Sequence, residues 1–286
     1  MVIAVASGKG GTGKTTLAVN LAFVANPRPV QVLDCDVEEP NVHLFLKGQT
    51  LESKTVSVTI PSVDEEKCSG CEECSNFCQF KALVVIGKTV LVFPELCHSC
   101  GGCRLICPEK TIDEVPRPIG KVETLQVQND LLLIYGTLSI GVAMATPLIR
   151  EVKNSRDHGA PLTVIDCPPG TSCPVIESIK GADVVLLVTE PTPFGLHDLT
   201  LAVDTVRVLG IPFGVVINRA GQNYPSLYEY LEKEKIPLIG EIPLNRAVAQ
   251  AYARGDLIIN SVSGYRAKIE EIFSRLIDLA EKSKRV

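Results

Sequence analysis

Two sets of residues in this chain have the types and spacing of working chemistry. The first is Gly8-Lys9-Gly10-Gly11-Thr12-Gly13-Lys14-Thr15, which fits G-x-x-x-x-G-K-[ST]. It falls directly after the apolar run Val2-Ile3-Ala4-Val5 and directly before a helical run that opens with Lys14, Thr15 and Thr16. The glycines let backbone N–H groups curl around the β- and γ-phosphates of a nucleotide. The helix start adds the positive end of its dipole, Lys14 reaches the phosphate oxygens and Thr15 offers a hydroxyl to Mg²⁺. The second set is eight of the eleven cysteines, arranged as Cys68-x-x-Cys71-x-x-Cys74-x-x-x-Cys78 and Cys97-x-x-Cys100-x-x-Cys103-x-x-x-Cys107-Pro108. A triple of thiols followed by a fourth is the spacing of iron–sulfur ligation. Zinc also takes C-x-x-C pairs, but a tetrahedral site closes with four thiolates and has no use for a triple with a distant fourth. The first run ends in Gln79 where the second has Pro108, which alters the local turn and leaves all four thiols in place.

These loops need a scaffold. Runs beginning at Val30, Leu162, Val184, Phe213 and Leu238 join the first run as continuous apolar segments, the look of strands buried on both faces. They alternate with helical patterns that place Leu196, Leu199, Val203 and Val206 on one face, and Ile269, Ile272, Phe273, Leu276 and Ala280 on another. The pattern predicts an α/β fold, a doubly wound and mainly parallel sheet. The cysteine block interrupts the alternation between Pro61 and the pair Pro116 and Pro118. The expected division is therefore a nucleotide-binding domain over 1–59 and 119–286, with an inserted α+β domain over 60–118. Inside the insert, 82–86 and 89–93 read as two short strands joined by the turn Gly87-Lys88.

At 286 residues and 45% hydrophobic content the chain can bury one large core and a smaller one. A net charge of -5 argues against a groove that neutralises many phosphates, so no nucleic acid is expected. The first residues lack a secretory pattern, which predicts a cytoplasmic protein. Residues 131–149 carry no charge, but Gly136, Gly141 and Pro147 break them, and strand, turn and helix start fit better than a membrane span. In that compartment eleven cysteines are better metal ligands than a disulfide framework.

With its additional Lys9, the string SGKGGTGKTT resembles the deviant Walker A motif of the MinD/ParA/Mrp superfamily of P-loop ATPases. The resemblance extends to Leu33-Asp34-Cys35-Asp36 as switch I and to Val164-Ile165-Asp166-Cys167-Pro168-Pro169-Gly170 as Walker B and switch II. It implies ATP/ADP and Mg²⁺ as ligands, with Gly8 to Thr16 around the phosphates and Lys9 reaching across an ATP-stabilised dimer. It further implies that Asp36 polarises the attacking water and that Asp166 holds a magnesium-bound water. Asn218, Arg219, Pro243 and Asn245 would flank the adenine. Asp34 reads as structural or as an outer-shell magnesium group.

The two cysteine runs around a hairpin resemble a two-cluster bacterial ferredoxin, in which each run's fourth cysteine crosses over. That implies Cys68, Cys71, Cys74 and Cys107 on one 4Fe–4S cluster, and Cys97, Cys100, Cys103 and Cys78 on the other.

Together the resemblances imply an ATPase that dimerises on ATP, with itself or a paralogue, and gates electron delivery to a partner protein. The insert carries nine acidic against six basic residues, so the partner is expected to present a basic patch. Iron–sulfur or metallocofactor assembly is an alternative, although no cysteine after Cys173 supplies a C-terminal C-x-x-C. A redox-sensing spatial regulator is another, although the terminal helix has a core-packing face. Cys35, Cys167 and Cys173 remain beside the switches, and Cys173 reads either as a packed apolar residue or as a thiol near the dimer axis.

Overall fold

The computed structural model describes residues 1–25, 29–128 and 130–284. Its strands are β1 (Val2–Ala6), β2 (Val30–Asp34), β3 (Gln49–Val63), β4 (Leu83–Ile86), β5 (Thr89–Val92), β6 (Ile112–Gln128), β7 (Leu131–Leu138), β8 (Leu162–Asp166), β9 (Val184–Thr189), β10 (Phe213–Ala220) and β11 (Leu238–Pro243). Helices are α1 (Lys14–Val24), α2 (Glu73–Phe77), α3 (Gly102–Ile106), α4 (Thr146–Asn154), α5 (Cys173–Ile179), α6 (Pro193–Val208), α7 (Pro225–Lys233), α8 (Arg246–Arg254), α9 (Ile258–Ser261) and α10 (Tyr265–Lys284). Among the described residues nine strands form one sheet in the order β11-β10-β9-β1-β8-β2-β7-β6-β3. From β7 across to β11 every pairing is parallel.

The chain forms two compact units, one from Met1–Ser53, Val122–Thr137 and Ile149–Val286, the other from Lys54–Lys121 and Leu138–Leu148. In the first, β1, β2, β8 and β9 are buried almost throughout, because helices cover both faces of a parallel sheet. The α10 stripe Ile269, Ile272, Leu276 and Ala280 lies in this core together with Leu17, Leu21 and Ala22 of α1. Among the described residues no helix is long and apolar enough to cross a membrane. The uncharged stretch 131–149 is β7, a loop and the start of α4.

The second unit holds α2, α3 and the antiparallel β4–β5 hairpin, with Leu83 opposite Val92 and Ile86 opposite Thr89. Its core is small and rich in sulfur: Cys74, Cys97 and Cys103 are buried with Ala82, Leu83, Val90 and Ile112. The prolines that flank the cysteine block lie inside long strands, Pro61 in β3 and Pro116 and Pro118 in β6. Sequence reading missed both strands, and β3 shows why: seven consecutive exposed residues at its start erase any apolar period. As an edge strand, β3 also tolerates a residue without an N–H.

Candidate functional site

Parallel pairing aligns the C-terminal ends of β1, β2, β8, β9 and β10, so their following loops gather on one edge of the sheet. This is the crevice where doubly wound folds bind ligands. The Gly8–Thr15 loop leaves β1 and turns into α1, with Lys14 buried at 7% exposure. Gly13 adopts a left-handed φ of 93°. A Cβ there would lie 2.4 Å from Asn218 Nδ2, so the position admits only glycine.

Thr15 Oγ1 donates to Asp166 Oδ2 at 2.6 Å, joining the phosphate loop to the end of β8. Asp166 Oδ1 is buried and has no hydrogen-bond partner among the described residues. Burial lifts Asp166 to about 7, against the opposing effects of the Thr15 hydrogen bond and Lys14. An oxygen left unpaired beside a hydroxyl suits a hard cation such as Mg²⁺. Asp36 is lifted to about 6, again by burial and against the pull of Lys14. Such a carboxylate is poised near neutrality, as acceptance of a proton from water requires.

Asp34 does something different. Its carboxylate accepts the backbone N–H groups of Asp36 (3.1 Å), Asn41 (3.0 Å) and Val42 (3.0 Å), folding the loop that follows β2. It shapes the turn that carries Asp36.

The segments placed beside the nucleotide by resemblance are distributed unevenly. Asn218 Nδ2 donates to the Thr12 carbonyl at 2.7 Å, and the Arg219 guanidinium donates to the Gly11 carbonyl at 3.1 Å, so both sit against the phosphate loop. Asn245 caps α8, its Oδ1 accepting the Ala247 N–H at 2.8 Å. Pro243 ends β11, and its carbonyl accepts from the Tyr265 hydroxyl at 3.3 Å.

Sequence reading missed Glu190. It follows β9, is 7% exposed, and faces Arg219 at 2.7 Å and Lys9 at 3.7 Å. The signal was a carboxylate at the end of the wholly apolar run Val184-Val185-Leu186-Leu187-Val188. A buried acid there requires a cation.

In the second unit, the eight cysteines line two cavities. A narrow one of about 20 Å³ is lined by Cys68, Cys71, Cys74 and Cys107. The other, of about 200 Å³, is lined by Cys78, Cys97, Cys100 and Cys103. In each set one thiol is exposed, Cys71 or Cys100, and the rest are wholly or partly buried. Burial raises the thiols of Cys74 and of Cys103, the latter to about 11. Burial acts upward on Cys107 as well, but hydrogen bonding from Thr111 and from the Glu109 and Lys110 backbone together outweighs it, and the thiol falls below its ordinary value. Backbone N–H groups already point at sulfur: Ala82 to Cys78 at 3.3 Å and Ser99 to Cys97 at 3.4 Å. His98, between two of these cysteines, stacks on Phe80 with ring centroids 3.5 Å apart. Among the described residues no group of three or more His, Cys, Asp or Glu side chains is placed to hold a single metal ion. Of the other three cysteines, Cys35 and Cys167 are buried at the ends of β2 and β8, and Cys173 is exposed at the start of α5.

A buried lysine in a glycine loop, tied through a threonine to an aspartate at the end of a parallel strand, defines a P-loop nucleotide-binding protein. The chain matches the CobQ/CobB/MinD/ParA nucleotide binding domain over residues 3–258 and belongs to that family, as an ATPase of the MinD/ParA type. An uncharacterized protein of Methanocaldococcus jannaschii is 30% identical over 281 residues, 97% of this chain and 98% of the relative. An iron-sulfur cluster carrier protein of Pyrococcus horikoshii is 25% identical over 277 residues, 90% of this chain and 78% of that protein. Among solved structures, the Pyrococcus furiosus cell division ATPase MinD superposes with a TM-score of 0.60 at 20% identity, covering 97% of this chain and 98% of that one. The septum site-determining protein MinD of Pyrococcus horikoshii, complexed with Mg-ADP, gives 0.58 at 19% identity over 99% and 95% of the two chains. These structural matches show the fold.

Proposed function

We propose that this ATPase binds two 4Fe–4S clusters and couples nucleotide-driven dimerisation and switch movement to electron transfer to a partner protein. The observation that carries the reading is the sorting of eight cysteines into two cavities with four thiols each. Four thiols around a void suit a cluster, which distributes its thiolates over four irons, whereas one zinc ion draws all four to about 2.3 Å from a single point. The small unit also gains from a staple, since its buried aliphatic side chains are few. Bound in these cavities, the clusters supply one-electron transfer. Cys68, Cys71, Cys74 and Cys107 hold one, and Cys97, Cys100, Cys103 and Cys78 the other.

In the first unit the residues divide the ATP chemistry. Lys14 neutralises phosphate charge, Thr15 and Asp166 hold Mg²⁺, and Asp36 takes up the proton of the attacking water. Lys9 leaves Glu190 to reach the partner's nucleotide in an ATP-bound dimer. The acidic second unit selects a partner with a basic patch, and electron-transfer rates fall as salt rises.

The test is analytical: anaerobically prepared protein is expected to contain about eight irons and eight acid-labile sulfides per chain. Stoichiometric zinc without sulfide overturns the reading. A second reading, delivery of a cluster to an acceptor, is favoured by the relatives named iron-sulfur cluster carrier proteins at 24–25% identity. Under electron transfer the chain keeps its iron through ATP turnover. Under delivery, iron passes to an apo acceptor.

A further inference from the structure

The halves of the second unit repeat one another, and the place where the repeat fails points to a function. Cys68, Cys71, Cys74 and Cys78 correspond in order to Cys97, Cys100, Cys103 and Cys107. Left-handed backbone recurs at matching positions: Gly70 and Ser99, Glu72 and Gly101, Lys81 and Lys110. Gly70, at φ 73°, has no room for a side chain, since a Cβ would lie 2.3 Å from the Gly87 carbonyl oxygen. Its counterpart Ser99 holds φ 55°, a conformation glycine adopts freely and a side chain disfavours.

Ser99 shares this backbone with Glu72, Lys81 and Lys110, and what sets it apart is the state of its hydroxyl. Ser99 Oγ is buried and has no hydrogen-bond partner among the described residues. Native structures rarely leave such a group unpaired. Ser99 lines the second cavity beside Cys78, Cys97, Cys100 and Cys103. Its own N–H already points at Cys97 Sγ, so the loop aims donors toward sulfur. In the first cavity the corresponding position is Gly70, which has no hydroxyl; of the two hydroxyl-bearing residues that line it, Ser69 is exposed and Thr111 lies 3.5 Å from Cys107 Sγ.

We propose that the Ser99 hydroxyl donates a hydrogen bond to the sulfur of the group that fills the second cavity, and so sets that group's reduction potential separately from the first. The proposal rests on the reading that both cavities hold 4Fe–4S clusters. A donor to sulfur stabilises the more negative, reduced state and raises the potential. Ser99 is thus a tuning residue for the second site, and Thr111 is its counterpart at the first.

The experiment is an EPR-monitored redox titration of the anaerobic full-length chain, with the second site's signal assigned as the one altered by Cys100→Ser. In Ser99→Ala and Ser99→Gly the reduced-to-oxidised ratio of the second cluster at a fixed poise is expected to fall about threefold to tenfold, tenfold being about 59 mV for a one-electron couple. The first cluster stays unchanged. Thr111→Val is expected to move only the first. Ser99→Gly relieves the backbone strain, so it folds at least as stably as the parent and separates tuning from damage. Potentials indifferent to both Ser99 variants, or both clusters shifting together, overturn the proposal alone. Wild-type protein without iron and sulfide overturns it together with the reading on which it rests.

Discussion

Glu190→Gln is expected to strengthen ATP-dependent dimerisation. In the chain as it stands, Lys9 lies 3.7 Å from the Glu190 carboxylate of its own chain, and under the role proposed for it this lysine must be released before it acts in trans. The Lys9 side chain is 33% exposed, so water screens its end of the pair, and the buried Glu190 keeps its closer cation, Arg219 at 2.7 Å, when Lys9 leaves. A pair of this kind contributes about 0.2–1 kcal/mol net. Converted at RT, that is roughly a factor of 1.4 to 5 per protomer, and two symmetric exchanges square it to roughly 2- to 30-fold in the dimer dissociation constant. Glutamine keeps the shape and can still accept from Arg219, which limits the damage to the 2.7 Å pair beside it. Analytical ultracentrifugation with ATP, in a background that does not hydrolyse, measures the constant. Combining the change with Lys9→Ala serves as the control, because the gain must vanish when Lys9 is absent. Dimerisation unchanged or weakened in Glu190→Gln, or a gain that survives loss of Lys9, would refute the competition.

Three further outcomes are expected. Gly13→Ala forces a side chain into φ 93° and displaces Asn218 from its 2.7 Å bond to Thr12. The two effects together destabilise by about 2–3 kcal/mol, and an unchanged denaturant midpoint without nucleotide would count against this geometry. Cys78→Ala is expected to lower iron from about eight to about four per chain and to remove the signal of the Cys97-Cys100-Cys103 triple, whereas loss of the other signal contradicts the pairing read from the cavities. A thiol reagent applied to cluster-loaded protein is expected to label Cys173 first. Cys35 and Cys167 should react only on unfolding, because both are fully buried and burial drives both thiols far above their ordinary value; rapid labelling of either in the folded state would refute that packing.

Several features were legible in the sequence because they depend on neighbours along the chain. The Gly8–Thr15 loop is short, the left-handed turns at Gly11 and Gly13 are local backbone demands, and its place between a strand and a helix follows from apolar period. The cysteine spacing belongs to this class too, as do the buried strands β1, β2, β8 and β9, whose continuous apolar runs reflect burial on both faces. Tertiary structure decided what depends on partners far away in sequence. β3 and β6 carry no readable period, since exposed residues and prolines interrupt them, and the sheet makes them strands by pairing. Spacing alone leaves both fourth cysteines equivalent; only the fold puts Cys107 on the cavity of the first triple and Cys78 on that of the second. Nor does anything near Glu190 in the chain announce Lys9 and Arg219, which reach it because β1, β9 and β10 are neighbours in the sheet. A buried charge is satisfied by whichever element the topology brings beside it, and that choice belongs to the long-range register of the strands.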